Sequence, residues 1–208
     1  MLDVACGTGH SMLPWLERGY VVTGVDVSPE MAALARAKLA GHAAVHVADM
    51  RALPALGAFD LATCLGDAFN HLLSLDDVEA AVRALAGALI PGGLMVFDLN
   101  LLSAYRDAPD TIVDDGDRVV LWPGAPARIH SPGGTAELVI DVFEREGELW
   151  RRISSRQPHR HHPLEDVLKR VRAADLEVAG VFGQQPGVRL EHPVDEPRHA
   201  KAIVFARR

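Results

Sequence analysis

The stretch Leu2-Asp3-Val4-Ala5-Cys6-Gly7-Thr8-Gly9-His10 decides the fold. Met1–Ala5 reads as a short strand, two glycines follow, and His10–Glu17 carries a helical pattern. A strand that turns into a helix through glycine is a ligand-binding corner of an open α/β sheet, because glycine lets a ligand approach the backbone closely. The turn alone leaves the ligand open, since a dinucleotide with its pyrophosphate on the helix N-terminus uses a similar corner. The G-x-G-x-x-G spacing begun at Gly7 ends on Met12, however, which weakens the nicotinamide and flavin reading.

Outward from that corner, short apolar runs alternate with helical patterns as far as Asn100, the signature of a parallel sheet covered by helices on both faces. Strands are expected at Met1–Ala5, Tyr20–Val25, Ala44–Val47, Phe59–Cys64 and Leu94–Leu99. Met31, Leu34, Ala35 and Leu39 are spaced to share one helix face, as are Val78, Val82, Leu85 and Leu89. Ser28 before Pro29 reads as an N-cap with proline in the first turn, and Ser74 with Asp77 as a second cap. Pro91-Gly92-Gly93 ends the third helix. Beyond Asn100 the pattern becomes β-rich at Arg118–Trp122, Ala136–Arg145 and Glu148–Arg156. A helix over Pro163–Ala174 and strands at Glu177–Phe182 and Ala200–Ala206 close the chain, with 123–134 and 184–197 read as loops.

Two more carboxylates fall at predicted strand ends. Asp26 ends the second strand, where a carboxylate can accept hydrogen bonds from both hydroxyls of a ribose. Asp49 follows the third strand, beside Met50, where it can accept from an adenine amino group next to an apolar wall. Asp3 reads either as an acid near the ligand that orders the glycine loop or as a strand-end cap for backbone amides. Three loops thereby converge at the carboxyl ends of adjacent strands, where open α/β sheets bind ligands.

In the order LDVACGTGH, VTGVDVSPEM, VADMRALP, FDLATCLGDAFNHL and PGGLMVFDLN, the sequence resembles the class I S-adenosylmethionine-dependent methyltransferases over nearly its whole length. The resemblance implies a Rossmann-like α/β sheet, mostly parallel, whose last strand is antiparallel. It also implies S-adenosyl-L-methionine as cofactor, with Gly7 and Gly9 at the methionine part, Asp26 on the ribose and Asp49 with Met50 at the adenine. Asp3, Ala5, Val27, Met31, Cys64 and Leu65 complete the implied cofactor set. The chemistry would be in-line displacement on the sulfonium methyl, in which the protein aligns the nucleophile and excludes water.

Within the family the chain looks most like small-molecule enzymes, amino-sugar N-methyltransferases among them, that carry an antiparallel insertion after the fifth strand. Residues 1–208 are accordingly expected to form a single methyltransferase domain in which 104–160, with Tyr105, Trp122, Trp150 and the His159–His162 run, covers a small-molecule acceptor. Asp67, Asn70 and His71 follow the fourth strand and can face that acceptor, His71 as a base near neutral pH. Asp67 and Asn70 read equally well as turn residues. The family normally places a helix before the first strand, and here Met1 already stands there, so the expectation is a misplaced coding start, a fragment of a longer chain, or a cover supplied by a partner or the insertion. A binding or regulatory subunit that keeps the fold without turnover is the alternative.

Several classes fall away. A net charge of −7 gives no purchase on a polyphosphate, and Arg151, Arg152, Arg156 and Arg160 read as the solvated face of a strand, so nucleic acid is not an expected partner. Cys6 and Cys64 form no disulfide framework and suit a reducing cytoplasm, with Cys64 a buried apolar side chain rather than a nucleophile. No apolar run reaches membrane-spanning length. The histidine run lacks the partners that a metal site needs, so no metal is expected. Exposed strands of the insertion could pair across a homodimer.

Overall fold

The computed structural model describes residues 1–106, 108–185 and 188–208. Its first half runs β1 (Leu2–Val4), α1 (Leu13–Glu17), β2 (Thr23–Asp26), α2 (Pro29–Leu39), β3 (Ala44–Val47), β4 (Phe59–Cys64), α3 (Leu75–Ala88) and β5 (Leu89–Asn100). After these come α4 (Leu102–Arg106), β6 (Thr111–Asp114), β7 (Arg118–Trp122), β8 (Thr135–Glu146) and β9 (Leu149–Arg160). The chain ends with α5 (Leu164–Ala173), β10 (Glu177–Gln185), β11 (Arg189–Glu191) and β12 (Lys201–Arg207).

An eight-stranded sheet has the order β11-β10-β12-β5-β4-β1-β2-β3. From β3 to β5 neighbouring strands are parallel, while β12 lies antiparallel between β5 and β10. A class I methyltransferase sheet has this arrangement. β6 to β9 form a separate four-stranded antiparallel sheet, joined at its tip by a turn in which Gly147 has φ +68°.

The amphipathic pattern of α3 buries Val78, Val82 and Leu85 against the sheet, and α5 buries Val167, Leu168 and Val171 beside them. Ser74 caps α3, its hydroxyl accepting from the Asp77 amide at 3.0 Å, and Ser28 caps α2 by accepting from Met31 at 3.2 Å. Phe69 and Phe97 stack at 4.6 Å under the loop that follows β4, fixing that loop to the core.

Several elements differ from the sequence reading. The buried face of α2 is Ala32, Ala35 and Leu39, whereas Met31 and Leu34 are 42% and 54% exposed. Gly9 explains the choice, because a Cβ there would stand 3.1 Å from Leu39 and 3.2 Å from Ala35, so the small face of the helix is the one that can approach. β2 starts at Thr23 rather than Tyr20, since the three-residue β1 pairs only from Leu2↔Thr23, and Tyr20 instead packs edge-on against Trp15. α1 starts at Leu13 rather than His10, because the preceding bonds, Met12 to Gly9 and Leu13 to His10, close three-residue turns.

β5 begins at Leu89, before Pro91-Gly92-Gly93. The Gly92 amide donates to Arg208 and the Arg208 amide to Gly93, which holds the glycines in the sheet. β6 and α4 were not expected, and β11 lies inside the 184–197 stretch read as a loop, of which 186–187 fall outside the described residues. Trp150 sits near the hairpin tip, 43% exposed under the Arg145 guanidinium, and lines neither of the two cavities described below. Among the described residues no helix is long and apolar enough to cross a membrane.

Candidate active site

At the carboxyl ends of β1 to β4 a cavity of about 680 Å³ opens. Ala5, Gly7, Asp26, Val27, Met31, Asp49, Met50, Leu65 and His71 line it. The loop after β1 reaches positive φ at Ala5 (+57°), Gly7 (+54°) and Gly9 (+75°). A Cβ on Gly7 would meet no protein atom within 4 Å, so the backbone there faces open space. Gly9 is absent from the lining and seats α2 instead. Met12, where a dinucleotide site would have its third glycine, is fully buried over Gly24, whose Cβ would lie 2.8 Å from its sulfur. Close helix–strand approach is thus obtained by a glycine on the strand rather than on the turn.

The Asp26 carboxylate spans two loops: one oxygen accepts from the Gly7 amide at 2.8 Å, the other from the Ser28 amide at 2.9 Å. Each oxygen keeps acceptor capacity toward the cavity. Asp49 is differently placed. Arg51 engages it through its backbone amide at 2.8 Å and its guanidinium at 2.6 Å, and also reaches Asp77 at 2.8 Å. Hydrogen bonding from Arg51 holds the Asp49 carboxyl below the usual range. Asp3 and Cys64 stand behind the wall. Asp3 is buried and accepts from Ser11 at 2.5 Å and Thr63 at 2.6 Å, while burial raises its pKa. Burial likewise pushes the Cys64 thiol well up, and the Cys6 thiol to about 12, so neither is a nucleophile at neutral pH.

Around the cavity, Val27, Met31, Leu65 and Leu73 are all exposed, at 65%, 42%, 40% and 42%. Apolar side chains gathered at a cavity rim beside a buried carboxylate suit a ligand with both an apolar ring and hydroxyl donors.

The loop after β4 separates this cavity from a second. Gly66 and Asp67 donate their amides to the buried Asp98 at 3.1 and 2.7 Å, and Lys201 meets the same carboxylate at 2.7 Å. Asp67, held at φ +56°, directs its side chain into a cavity of about 140 Å³ shared with Asn100, Tyr105, Trp122 and His159. Asn100 donates to Asp67 at 3.0 Å, and burial raises the Asp67 pKa. His71 lines the first cavity and His159 the second, and their Nε2 atoms lie 3.1 Å apart. Burial lowers the pKa of both, that of His159 to about 4. Asn70 turns away, its amide spanning Asn100 and the Arg160 carbonyl.

The histidine run divides. Among its neighbours, Gly133 donates to His161 at 3.2 Å and His162 bonds the Leu72 carbonyl at 2.8 Å. Among the described residues no cluster of three or more His, Cys, Asp or Glu could hold a metal ion. The arginines of β9 are paired with acids of β8: Arg151 with Glu144, Arg152 with Asp141 and Arg156 with Glu137. Sequence reasoning did not single out Asp98, Asn100 or Lys201. The alternation Asp98-Leu99-Asn100 at a strand's carboxyl end was the available signal.

The methyltransferase-domain family pattern matches residues 1–93. A Geobacillus sp. (strain WCH70) protein whose name assigns it provisionally to the methyltransferases is 33% identical, over 74% of this chain and 67% of its own length. The dTDP-3-amino-3,6-dideoxy-alpha-D-glucopyranose N,N-dimethyltransferase of Streptomyces fradiae is 32% identical, over 73% of this chain and 53% of its own length. An S-adenosylmethionine-dependent methyltransferase from Clostridium acetobutylicum ATCC 824 superposes with TM-score 0.81 at 22% identity, covering 99% of this chain and 82% of that one. The open backbone at Gly7, the two-armed Asp26 and the apolar rim fit S-adenosylmethionine. The chain belongs to the class I S-adenosylmethionine-dependent methyltransferases.

Proposed function

We propose that this methyltransferase acts on the nitrogen of a small amine held in the second cavity, with the cofactor in the first. What carries the reading is the seam between the two. Gly66 lines one cavity and Asp67 the other, and the His71–His159 pair joins the same two walls. The second cavity presents a carboxylate, an amide, a phenol and an imidazole, and no Lys or Arg among its described lining residues. Such a lining favours an amine with hydroxyl neighbours over a phosphate or carboxylate. The Streptomyces fradiae relative, by its name, methylates an amino sugar.

When bound, S-adenosylmethionine supplies a methyl group on a sulfonium. The chain's residues bind, orient and exclude water. Asp26 takes the ribose hydroxyls on its free lone pairs, and the Ala5–Gly7 backbone flanks the methionine end. Val27, Met31, Met50 and Leu65 form the apolar surroundings. Asp49 contributes less than Asp26, because an adenine amino group must share its carboxylate with Arg51. Asp3, Gly9 and Cys64 act from behind by holding the loops. Asp67 faces the acceptor, and His71 forms the partition.

In the same reading 1–208 acts as one domain, with the second sheet covering the acceptor. The buried free thiols suit the cytoplasm. The edge strand β6, with Ile112 and Val113 exposed, offers pairing to a second copy rather than to nucleic acid.

The test is transfer of labelled methyl from S-adenosylmethionine to a panel of small amines, including dTDP-3-amino-3,6-dideoxyglucose, and to the matching hydroxyl compounds. Label is expected on amine nitrogen. Label on hydroxyls only would overturn the reading, and a protein that binds cofactor but labels nothing would be a binding subunit.

A further inference from the structure

The loop after β4 holds Asp67 in a backbone conformation that costs energy, and Asp98 keeps it there. Gly66 and Asp67 both have positive φ, +83° and +56°, and the buried Asp98 carboxylate accepts both of their amides, at 3.1 and 2.7 Å. Few L-residues other than Asp and Asn visit that region readily. The outcome is a carboxylate on the wall of the second cavity. Its Oδ2 accepts from Asn100 at 3.0 Å, whereas Oδ1 accepts no hydrogen bond among the described residues and has Lys201 Nζ at 3.9 Å. Lys201 is drawn to Asp98 instead, at 2.7 Å, so its charge is matched there and one negative charge is left over on Asp67. The other titratable neighbours do not offset it. Burial keeps His71 and His159 neutral, His159 with a pKa of about 4, and holds the hydrogen on the Tyr105 phenol. The second cavity thus offers a single anion to an amine, and an alkylamine arrives from neutral water as the ammonium. In that form its nitrogen has no lone pair with which to attack a methyl group.

We propose that Asp67 is the base of the reaction, its Oδ1 taking a proton from the bound ammonium before methyl transfer and leaving a neutral amine at the seam. The proposal rests on the N-methylation reading above. Among the groups that line the second cavity, Asp67 and His159 are the two that could accept a proton. Transfer to a carboxylate cancels both charges of the pair, whereas transfer to an imidazole leaves a cation in the same buried place. Burial acts in the same sense, raising the Asp67 pKa and lowering that of His159, so Asp67 is the better acceptor of the two.

In the first step an N–H bond of the ammonium breaks and an O–H bond forms on Asp67, the electron pair staying on nitrogen. That pair then forms the N–C bond as the methyl's bond to sulfur breaks, with the C–S pair returning to sulfur. The product leaves as a methylammonium, and the Asp67 proton passes to water once the cavity empties. Asn100, donating to Oδ2, fixes the carboxyl so that Oδ1 is the oxygen left to the substrate. Asp98 and Lys201 are positioning residues that set the base and its charge from behind.

The decisive experiment follows the Asp67 carboxyl by carbon NMR in the aspartate-labelled full chain, its signal assigned by its absence from Asp67→Asn. With S-adenosylhomocysteine bound at neutral pH the carboxyl is expected to be ionised. Adding dTDP-3-amino-3,6-dideoxyglucose should move it to the protonated form, and the matching hydroxyl compound should leave it ionised. A carboxyl already protonated before the amine is added, or still ionised once the amine is bound, overturns the proposal while sparing the N-methylation reading. An amine that does not bind at all takes both down. Kinetics supply a second readout. Asn and Gly both tolerate positive φ, so Asp67→Asn and Asp67→Gly should keep the loop and the affinity for S-adenosylhomocysteine. Each should lose about 100-fold in kcat/KM at neutral pH. That loss should shrink about tenfold for each pH unit of increase, because more of the amine then arrives already deprotonated. A loss that does not change with pH would mark a structural role and contradict the proposal.

Discussion

The two cavities meet at one loop but are built in different ways. The first is assembled from the ends of β1 to β4, which are neighbours in the sheet, and each contributes one short local signal: the glycine turn, Asp26, Asp49-Met50, Leu65-Gly66. The second gathers Asp67, Asn100, Tyr105, Trp122 and His159 from four separate segments, brought together only when the small sheet docks on the large one. In the reading proposed above, cofactor binding depends on local backbone geometry over a buried core, whereas acceptor recognition depends on contacts between side chains distant in sequence.

The comparison breaks most severely at the stack that supports both cavities. Phe97 is fully buried against Phe69, whose loop carries the seam. Phe97→Ala should cost about 3–5 kcal/mol of unfolding free energy, read from urea midpoints, and should weaken both cofactor and acceptor binding. Asp26→Ala should spare stability far more and lower S-adenosylhomocysteine affinity by about 100-fold, since it removes the ribose acceptor and the anchor of the Gly7 amide. Asp49→Ala should cost only about tenfold, because Arg51 already occupies that carboxylate.

Acid should act first on the buried histidines at and just after the end of β9. The pKa values of His159 and His161 are depressed to about 4 by burial. The unfolded chain therefore binds more protons than the folded one between the ordinary histidine value and about 4, and stability falls as pH drops through that window. Asp3 and Asp67, with raised pKa values, work in the opposite sense at the low end. Urea midpoints from pH 7 to 5 should decline, and the double variant His159→Asn, His161→Asn should flatten that decline. The smallest effect belongs to the hairpin tip. Trp150→Ala, which removes an exposed contact with Arg145, should cost under about 1 kcal/mol and leave S-adenosylhomocysteine binding unchanged.

The same contrast explains what could be read from the amino-acid sequence. The sheet, its caps and the cofactor cavity were legible because glycine, serine and aspartate act within a few residues of themselves: Ser28 caps its own helix and Asp26 spans two adjacent loops. The α2 face was misassigned because Ala35 and Leu39 pack closely beneath Gly9, and that seating buries Ala32 and leaves Met31 and Leu34 outward. Asp3, Gly9 and Cys64 carry the right motif yet do not line the cavity: Asp3 is held by Ser11 and Thr63, Gly9 packs on α2 and Cys64 lies in the core. Tyr105 and His159 were legible only as members of the insertion that the family resemblance implies, without a role for either. Their meaning comes from the β8–β9 pairing that sets His159 opposite Ala136 and above His71.

The central claim, a cofactor held at the strand ends by Asp26, is tested most directly by calorimetric titration of S-adenosylhomocysteine into the wild type and into Asp26→Ala. The structure predicts saturable one-site binding by the wild type and a loss of about 100-fold in the variant with the fold intact. No binding to the wild type at millimolar ligand, or equal affinity in the two proteins, would contradict it.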